Sequence, residues 1–228
     1  MNSDLVIAPP KPTIVRVTDG RGFPVRRVFC VGRNYAAHAR EMGADPDREP
    51  PFFFMKPTDA VISSRQILYP TATRSLHFEM ELVVAIGTGG SSIQIADALE
   101  HVFGYAPGVD LTRRDLQDEA KSLRRPWDMS KGFDQSAPIG DIVPVSQCGH
   151  PDSGRISLAL NGTQRQDGDV SDMIWPVSDI ISFLSTLVAL QPGDLIFTGT
   201  PEGVGVVERG DTLTGTIDGV GSLTFKLI

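Results

Sequence analysis

Short apolar runs, separated by turns rich in glycine and proline, set the pattern of this chain. A run that alternates with polar positions, or that lies between turn residues, predicts a β-strand. The predicted strands are, in chain order, residues 13–17, 28–31, 52–55, 79–87, 102–111, 155–161, 195–198, 211–218 and 222–228. Asn161-Gly162 is the preferred two-residue hairpin turn, and the last two strands predict a second hairpin.

Helical periodicity occurs in four segments. They are residues 35–42, with a cap near Asn34 and an end near Gly43; residues 93–102; residues 112–123, with Thr112 as N-cap; and residues 176–190. The last segment is the strongest, because Pro176 begins it and its apolar side chains recur on one face.

Strands therefore outnumber helices and do not alternate regularly with them, which disfavours a doubly wound parallel fold. We expect a β-rich α+β fold in which the sheets roll or pack as a sandwich. The proline-rich residues 1–60 are expected to form a small lobe that carries the helix at 35–42. This lobe would pack on a catalytic domain of residues 61–228.

Composition narrows the classes of function. Among 228 residues, 28 acidic and 21 basic side chains give a net charge of −7, which argues against nucleic acid as the main partner but allows a small acidic substrate. No apolar run approaches the roughly 18 residues of a membrane span, and the first residues do not form a secretory signal. Cys30 and Cys148 form no CxxC pair, so separate thiols and a cytoplasmic setting are expected.

The segment around Glu79 carries the most chemistry. On a strand, His77, Glu79 and Glu81 share one face, where two carboxylates can converge on a hard cation such as Mg²⁺ or Mn²⁺. Asp110, after an apolar strand, would supply a third oxygen donor. His77 need not bind the cation itself and could form a hydrogen bond with a carboxylate that does. The alternatives are a solvated polar face and, for Asp110, a helix cap. The apolar run that follows Glu81 argues against the solvated face, because a carboxylate entering a core needs a partner.

A second group lies on the predicted helix at 35–42. His38 and Glu41 are three residues apart and face each other, so Glu41 could orient His38 as a general base for water. Arg33 offers a planar fork to a substrate carboxylate. The ordinary alternative for these side chains is a surface ion pair.

Two further polar side chains, Lys131 and Gln117, could reach such a site, although single residues of these types are most often solvated. The glycine-rich residues 197–205 follow a buried strand, where the backbone can approach a ligand closely. This loop lacks the Gly-Lys-Ser/Thr ending of a phosphate loop, so nucleotide binding is not supported.

In combination, the motifs resemble the fumarylacetoacetate hydrolase family over residues 14–228. They are Val31-Gly32-Arg33-Asn34-Tyr35, His38-x-x-Glu41, Lys56-Pro57, His77-x-Glu79-x-Glu81-Leu82, Gly104-Tyr105, Asp110-Leu111-Thr112-x-Arg114-Asp115-x-Gln117, Ser130-Lys131-x-Phe133-Asp134, Asn161-Gly162 and Thr198-Gly199-Thr200-Pro201-x-Gly203-Val204-Gly205. Within the family, the chain is most similar to short bacterial fumarylpyruvate and acylpyruvate hydrolases.

The resemblance implies a mixed β-roll, usually homodimeric, and a role for each matching residue. Glu79, Glu81 and Asp110 match the carboxylates that hold Mg²⁺ or Mn²⁺. The dyad of His38 and Glu41 matches the group that activates water, carried on a lid that orders with substrate. The remaining matches are Lys131 and Gln117 beside the metal, Thr200 at the acid end of the substrate, and Arg33 in anion binding.

The implied reaction is hydrolysis of the C–C bond of an acylpyruvate, with fumarylpyruvate of gentisate breakdown as the expected substrate and fumarate and pyruvate as products. The alternatives within the family are a general acylpyruvase, an oxaloacetate decarboxylase, and an isomerase or decarboxylase of homoprotocatechuate breakdown. A non-catalytic metal-binding domain is a further alternative, which the complete set of site residues disfavours.

Overall fold

A computed structural model describes residues 5–41 and 50–228. The strands of these residues are β1 (Ile14–Arg16), β2 (Gly22–Pro24), β3 (Arg27–Gly32), β4 (Phe52–Lys56), β5 (Val61–Ile62), β6 (Gln66–Ile67), β7 (Leu76–Phe78), β8 (Met80–Ile86), β9 (Val102–Val109), β10 (Thr112–Arg113), β11 (Ala137–Pro138), β12 (Val143–Pro144), β13 (Arg155–Leu160), β14 (Thr163–Asp169), β15 (Asp194–Phe197), β16 (Gly205–Val207), β17 (Thr212–Ile217) and β18 (Gly221–Leu227).

The helices are short and lie between the strands. The α-helices are α1 (Ala36–Glu41), α2 (Arg114–Ser122), α3 (Asp128–Lys131), α4 (Val145–Cys148) and α5 (Val177–Leu187), and 3₁₀ turns cover Thr58–Ala60, Ile95–His101 and Val170–Asp172. No helix of the described ranges is both long and apolar enough to cross a membrane.

Two large sheets and three small ones make up the β-structure of the described residues. The larger sheet is mixed and has six strands in the order β12-β9-β8-β15-β3-β4, and the second has five in the order β14-β13-β17-β18-β6. A three-stranded sheet has the order β10-β7-β16, and β1-β2 and β11-β5 form pairs. The fold is therefore the strand-rich α+β arrangement that the sequence predicted.

The core lies on both sides of β8. Leu82, Val84 and Ile86 pack on one side, in a cluster shared with β13, β17, β18 and α5. Val83 and Ala85 pack on the other side with residues of β3 and β15. Because both faces are buried, the part of β8 after Glu81 is a continuous apolar run rather than an alternating one.

Most predicted elements are confirmed, including both hairpins. β13 and β14 pair in antiparallel register around Asn161 and Gly162, whose φ angles of 52° and 79° fit the mirror-image turn that suits a two-residue hairpin. β17 and β18 form the second hairpin. Both cysteines are free thiols, and Cys30 is buried.

The strand predicted at 79–87 is confirmed as β8, which is one residue shorter at each end and leaves Glu79 between β7 and β8. Three other local predictions are wrong in detail. The segment predicted as a helix at 93–102 is the 3₁₀ turn Ile95–His101, in which only Ala98 is buried, so little packing favours an α-helix. Thr112 lies in β10 and Arg113 occupies the N-cap position of α2, because the Thr112 hydroxyl accepts a hydrogen bond from Lys131 Nζ at 2.6 Å.

Asn34 was expected to cap the first helix, but its amide is used elsewhere. Its Oδ1 accepts from the Trp175 N–H at 2.8 Å, and its Nδ2 donates to the carbonyls of Trp175 and Thr198 at 3.0 and 2.8 Å. The buried Asn34 thus ties the start of α1 to two distant segments. The predicted helix end near Gly43 lies outside the described residues.

The strands β3 and β4 come from the first sixty residues, and β3 pairs in parallel with β15 of the larger sheet. The division into a lobe of residues 1–60 and a domain of residues 61–228 stays a prediction.

Candidate metal and catalytic site

Three buried carboxylates meet where β8 begins and β9 ends. Glu79 precedes β8, Glu81 is its second residue, and Asp110 follows β9. The antiparallel register pairs Met80 with Val109, so Asp110 lies opposite Glu79, and its N–H donates to the Glu79 carbonyl at 2.8 Å. One oxygen of each carboxylate lies within 4.8 Å of the others. The break between β7 and β8 at Glu79, together with the pairing of β8 with β9, therefore brings the predicted trio together.

His77 is not part of this cluster. Its Nε2 forms a hydrogen bond with Ser75 Oγ at 3.1 Å, and its ring does not join the group of carboxylate oxygens. The interruption of the strand at Glu79 separates His77, on β7, from the continuous pleat of β8. A supporting hydrogen bond from His77 to a ligating carboxylate is therefore absent from the described structure.

Lys131 lies between two of the carboxylates. Its Nζ is 2.7 Å from Glu79 Oε2, 2.7 Å from Asp110 Oδ2 and 2.6 Å from Thr112 Oγ1. The short helix α3 positions this ammonium, and Lys131 is 2% exposed. An ammonium so enclosed needs the two carboxylates, since burial alone would lower its pKa, whereas Asp110 and Glu79 hold that pKa above its ordinary value.

Two further cations complete the cluster, and neither was among the predicted site residues. Lys56 Nζ lies 2.8 Å from Asp110 Oδ1 and also donates to the Leu111 and Lys131 carbonyls. Arg114, on α2, pairs with Glu79 Oε1 through Nη2 and donates to Gln117 Oε1 at 2.6 Å through Nη1. Both residues belong to motifs noted in the sequence, Lys56-Pro57 and the segment from Asp110 to Gln117, but no role was predicted for either.

The surroundings of Glu79 and Glu81 shift the pKa values of these two carboxyl groups in opposite directions. Burial alone would raise the pKa of Glu79, but the positive charges of Lys131 and Arg114 outweigh it and hold that pKa well below the ordinary value. Burial, together with the negative charges of Asp110 and Glu79, raises the pKa of Glu81 well above the ordinary value. Glu81 accepts a hydrogen bond from the Gly199 N–H at 2.8 Å, and it makes no ion pair within the described part of the chain.

The donor set fits a hard divalent cation. Carboxylate oxygens are the ligands that Mg²⁺ and Mn²⁺ prefer, whereas zinc favours His and Cys. Glu81 is the clearest indication, because its carboxylate is buried beside two negative charges and has no cationic partner among the described residues. A dication close to Glu81 would supply that partner.

A single cleft brings most of the predicted residues together. Its lining consists of Val31, Gly32, Arg33, His38, Phe54, Glu79, Glu81, Arg114, Gln117, Lys121, Trp127, Lys131, Gly199 and Thr200. Asp110 lies behind Lys131, and Glu41 reaches the cleft through His38. Phe54 and Trp127 form an aromatic wall with ring centroids 6.0 Å apart, which the sequence reading did not identify.

The dyad on α1 has the predicted geometry. His38 Nδ1 is 3.3 Å from Glu41 Oε2, and His38 is 6% exposed. The Glu41 carboxylate also accepts from the Gly203 N–H at 3.2 Å, which links α1 to the glycine-rich loop. A carboxylate at Nδ1 orients the ring and stabilises its protonated form, which is what a general base requires.

The other predicted residues also border the cleft. Arg33 has a φ of 59°, and its guanidinium lies 5.7 Å from the Phe52 ring centroid. Gln117 is buried and is held by Arg114. Thr200 Oγ1 accepts from Gln166 Nε2 at 2.8 Å. Gln166, a buried residue of β14, was missed because an isolated glutamine in a hairpin strand carries no sequence signal.

Comparison with known proteins agrees with the motifs. The profile described as Fumarylacetoacetate (FAA) hydrolase C-terminal matches residues 27–228. The crystal structure of fumarylpyruvate hydrolase from Pseudomonas aeruginosa in complex with Mn²⁺ and pyruvate has a TM-score of 0.96 and 52% identity, and the match covers 99% of both chains. Human mitochondrial oxaloacetate tautomerase FAHD1 is 41% identical, covering 89% of this chain and 91% of the relative. Oxaloacetate tautomerase YcgM of Escherichia coli is 40% identical, covering 90% and 94%. The chain therefore belongs to the fumarylacetoacetate hydrolase family and is a hydrolase that acts on C–C bonds.

Proposed function

We propose that this protein is a divalent-metal-dependent hydrolase of acylpyruvates, with fumarylpyruvate as its substrate and fumarate and pyruvate as its products. The observation that carries the proposal is the cleft itself, which His38 lines together with Glu79 and Glu81; Asp110 clusters with these two carboxylates, and Glu41 contacts His38. The similarity to the Mn²⁺ and pyruvate complex of the Pseudomonas enzyme supports the same choice.

Glu79, Glu81 and Asp110 would hold Mg²⁺ or Mn²⁺. When bound, the ion would polarise the oxo-acid end of the substrate and offset the negative charge that develops there. Arg33 and Thr200 would bind the carboxylate end of the substrate, since a guanidinium and a hydroxyl both donate to carboxylate oxygens.

His38 would act as the general base. Its Nε2 takes a proton from water while Glu41 stabilises the resulting imidazolium, and the hydroxide adds to the distal carbonyl carbon. The C–C bond then breaks, so the distal fragment leaves as a carboxylic acid and the other fragment leaves as the enolate of pyruvate. The proton held by His38 returns to that enolate carbon, which balances the reaction as addition of one water.

Lys131 and Gln117 would stabilise the enolate. Lys131 donates its three N–H groups to Glu79, Asp110 and Thr112, so it would act through its positive charge, which lowers the barrier to a nearby oxyanion where water is excluded. Arg114 donates to the Gln117 oxygen and so orients the amide, which would leave its nitrogen to donate to the enolate.

A substrate panel tests the proposal. Purified protein with Mg²⁺ or Mn²⁺ is assayed on fumarylpyruvate, acetylpyruvate and oxaloacetate, and the products are identified by NMR. We expect the highest kcat/KM on fumarylpyruvate, loss of turnover after chelation, and recovery on adding metal. Glu79→Ala should lose both Mn²⁺ binding and turnover, whereas His38→Ala should keep Mn²⁺ binding and lose turnover. Full activity after exhaustive chelation would contradict the proposal.

Oxaloacetate tautomerisation is the second candidate, because two curated relatives at 40–41% identity carry that activity. It would need only proton transfer by His38, without addition of water. Conversion of enol-oxaloacetate to the keto form without release of pyruvate would identify it. Release of CO₂ and pyruvate would instead indicate decarboxylation, and a shifted double bond in a homoprotocatechuate-pathway substrate would indicate isomerisation.

The proposal also includes a cytoplasmic homodimer that acts in gentisate breakdown. Light scattering coupled to size exclusion tests the dimer, since a monomeric mass at micromolar concentration would contradict it. The boundary near residue 60 is tested by limited proteolysis of the full chain.

A further inference from the structure

A buried glutamine outside the predicted set is bonded to both halves of the site. Gln166 is 0% exposed. Its Oε1 accepts from the Met80 N–H at 2.9 Å, and its Nε2 donates to Thr200 Oγ1 and to the Pro201 carbonyl, each at 2.8 Å. Met80 lies between Glu79 and Glu81, so one amide joins the carboxylate trio to the loop that carries Thr200.

The backbone determines which way this amide points. The Met80 N–H can only donate, and the Pro201 carbonyl can only accept. Rotating the amide by a half-turn would set donor against donor and acceptor against acceptor. Nε2 therefore faces Thr200, and the Thr200 hydroxyl must act as the acceptor in that contact.

A constraint on the Thr200 hydrogen follows. A threonine hydroxyl carries one hydrogen, and after accepting from Gln166 that hydrogen needs a separate acceptor. Thr200 is 2% exposed and borders the cleft, and no oxygen of the described residues accepts from it. The hydroxyl therefore presents a donor to the cleft, where it suits a carboxylate or carbonyl oxygen.

Packing keeps this arrangement rigid. The loop after Thr200 lies directly against β14, because Gly203 has a φ of 88° and a side chain there would collide with the Arg165 carbonyl. Gly168 contacts Pro201 in the same way, since an added Cβ would lie 2.8 Å from the Pro201 Cβ. A shift of Thr200 relative to Gln166 would therefore disturb these close contacts with β14.

We propose that Gln166 is a positioning residue that holds the Thr200 hydroxyl as a hydrogen-bond donor for a carboxylate oxygen of the oxo-acid substrate. The inference rests on the proposed function for the identity of the ligand. It assigns to Gln166 a part in substrate binding, exerted through Thr200, and it excludes a ligand group that can only donate, such as an ammonium or an amide N–H, at this point.

The test compares Gln166→Glu, Thr200→Val and the double variant, with Gln147→Glu as the control. Glutamate has nearly the same shape but, as a carboxylate, turns the Thr200 hydrogen away from the cleft. Gln147 is exposed and uses its Oε1 as an acceptor for Thr18, a contact that glutamate keeps. Pyruvate binding to the Mn²⁺-loaded proteins is measured by calorimetry, together with KM and kcat.

We expect the Kd of pyruvate and the KM to rise about tenfold in Gln166→Glu and in Thr200→Val, as loss of one charge-assisted hydrogen bond predicts. The double variant should be no worse than either single variant, since both remove the same donor. The kcat should change less than KM, because binding of the spectator carboxylate is equal in the ground and transition states. Additive losses, or unchanged pyruvate binding in Gln166→Glu, would overturn the inference.

NMR gives a second readout that does not require the Gln166→Glu variant to fold. Pyruvate should shift the Gln166 Nε2 protons in the wild-type protein and leave them unchanged in Thr200→Val. Equal shifts in both proteins, or none in either, would overturn the inference. Failure of the proposed function has a different signature, since wild type would then bind pyruvate with the predicted dependence on Gln166 but hydrolyse no acylpyruvate.

Discussion

Lys131 Nζ lies 2.7 Å from Asp110 Oδ2, and both side chains are almost completely buried. The pair is the centre of a cluster in which Lys56 and Arg114 neutralise the remaining charge on Asp110 and Glu79. A buried carboxylate is costly without partner charges or hydrogen bonds, so Asp110 and Glu79, which would bind a metal, also depend on lysine and arginine.

Replacing Lys131 with methionine should make the free energy of unfolding depend more strongly on bound Mn²⁺. The variant leaves Glu79 and Asp110 short of one partner, so the metal-free protein should lose about 3–5 kcal/mol of unfolding free energy. Added Mn²⁺ should recover more stability in this variant than in wild type, because the ion replaces the missing charge. Thermal melting with chelator and with Mn²⁺ measures both effects, and Lys226→Met, at an exposed position, is the control. Equal Mn²⁺-induced shifts in the two proteins would contradict this reasoning.

Glu79→Gln and Glu81→Gln should differ in stability although both weaken metal binding. Glu79 pairs with Lys131 and Arg114, so its amide variant should lose about 3–5 kcal/mol in the metal-free state. Glu81 has only the Gly199 N–H as a described partner, which an amide oxygen can still accept, so the second variant should stay within about 1 kcal/mol of wild type. Urea unfolding in chelator, together with Mn²⁺ titration, separates the two. Equal destabilisation would show that the ion pairs of Glu79 contribute little.

Glu41→Gln should slow turnover without affecting metal binding. Its carboxylate contacts His38 Nδ1 at 3.3 Å and is not among the clustered metal-ligand oxygens. Loss of its charge removes the stabilisation of imidazolium, so kcat should fall by about 100-fold while the Mn²⁺ Kd is unchanged. Glu100→Gln, at an exposed position of the 3₁₀ turn, should behave as wild type. A kcat close to wild type in Glu41→Gln would remove Glu41 from the mechanism.

Asp115→Asn should destabilise the protein at neutral pH and lose that effect in acid. Partial burial raises the pKa of Asp115, but hydrogen bonds from Thr73 Oγ1 and from the Arg74 and Leu116 N–H groups lower it below the ordinary value of 3.8. A depressed carboxylate pKa contributes stability above about pH 4, and that contribution disappears as pH falls through the folded-state pKa.

We therefore expect a loss of about 1 kcal/mol in Asp115→Asn at pH 7 and a smaller difference from wild type at pH 3. Denaturant unfolding of both proteins at the two pH values measures it. A difference that grows in acid would have the wrong sign for a depressed pKa.

The sequence by itself predicted the fold class, and it identified most of the residues that the structure brings together in the candidate site. The alternation at 155–161 and the turn at Asn161-Gly162 predicted a hairpin, because both signals are local. For the same reason, the spacing of Glu79 and Glu81 predicted a cation site, and the pair of His38 and Glu41 predicted a general base. These residues act on neighbours only two or three positions away, and short-range geometry is fixed by the element that carries them.

Only the tertiary structure decided which residues, distant in the sequence, contact the carboxylates and Thr200 of the candidate site. Lys56, Arg114 and Gln166 come from β4, α2 and β14. Lys56 and Arg114 belong to family motifs, but nothing in the sequence indicated their contacts with the carboxylates, and Gln166 belongs to none of the motifs. The pairing of β8 with β9 brought Asp110 opposite Glu79, and the packing of β14 on the loop at Thr200 brought Gln166 to Met80. Long-range pairing also redirected the amide of Asn34 and the hydroxyl of Thr112, because a buried polar group takes the partner that the packed core offers rather than the nearest one along the chain.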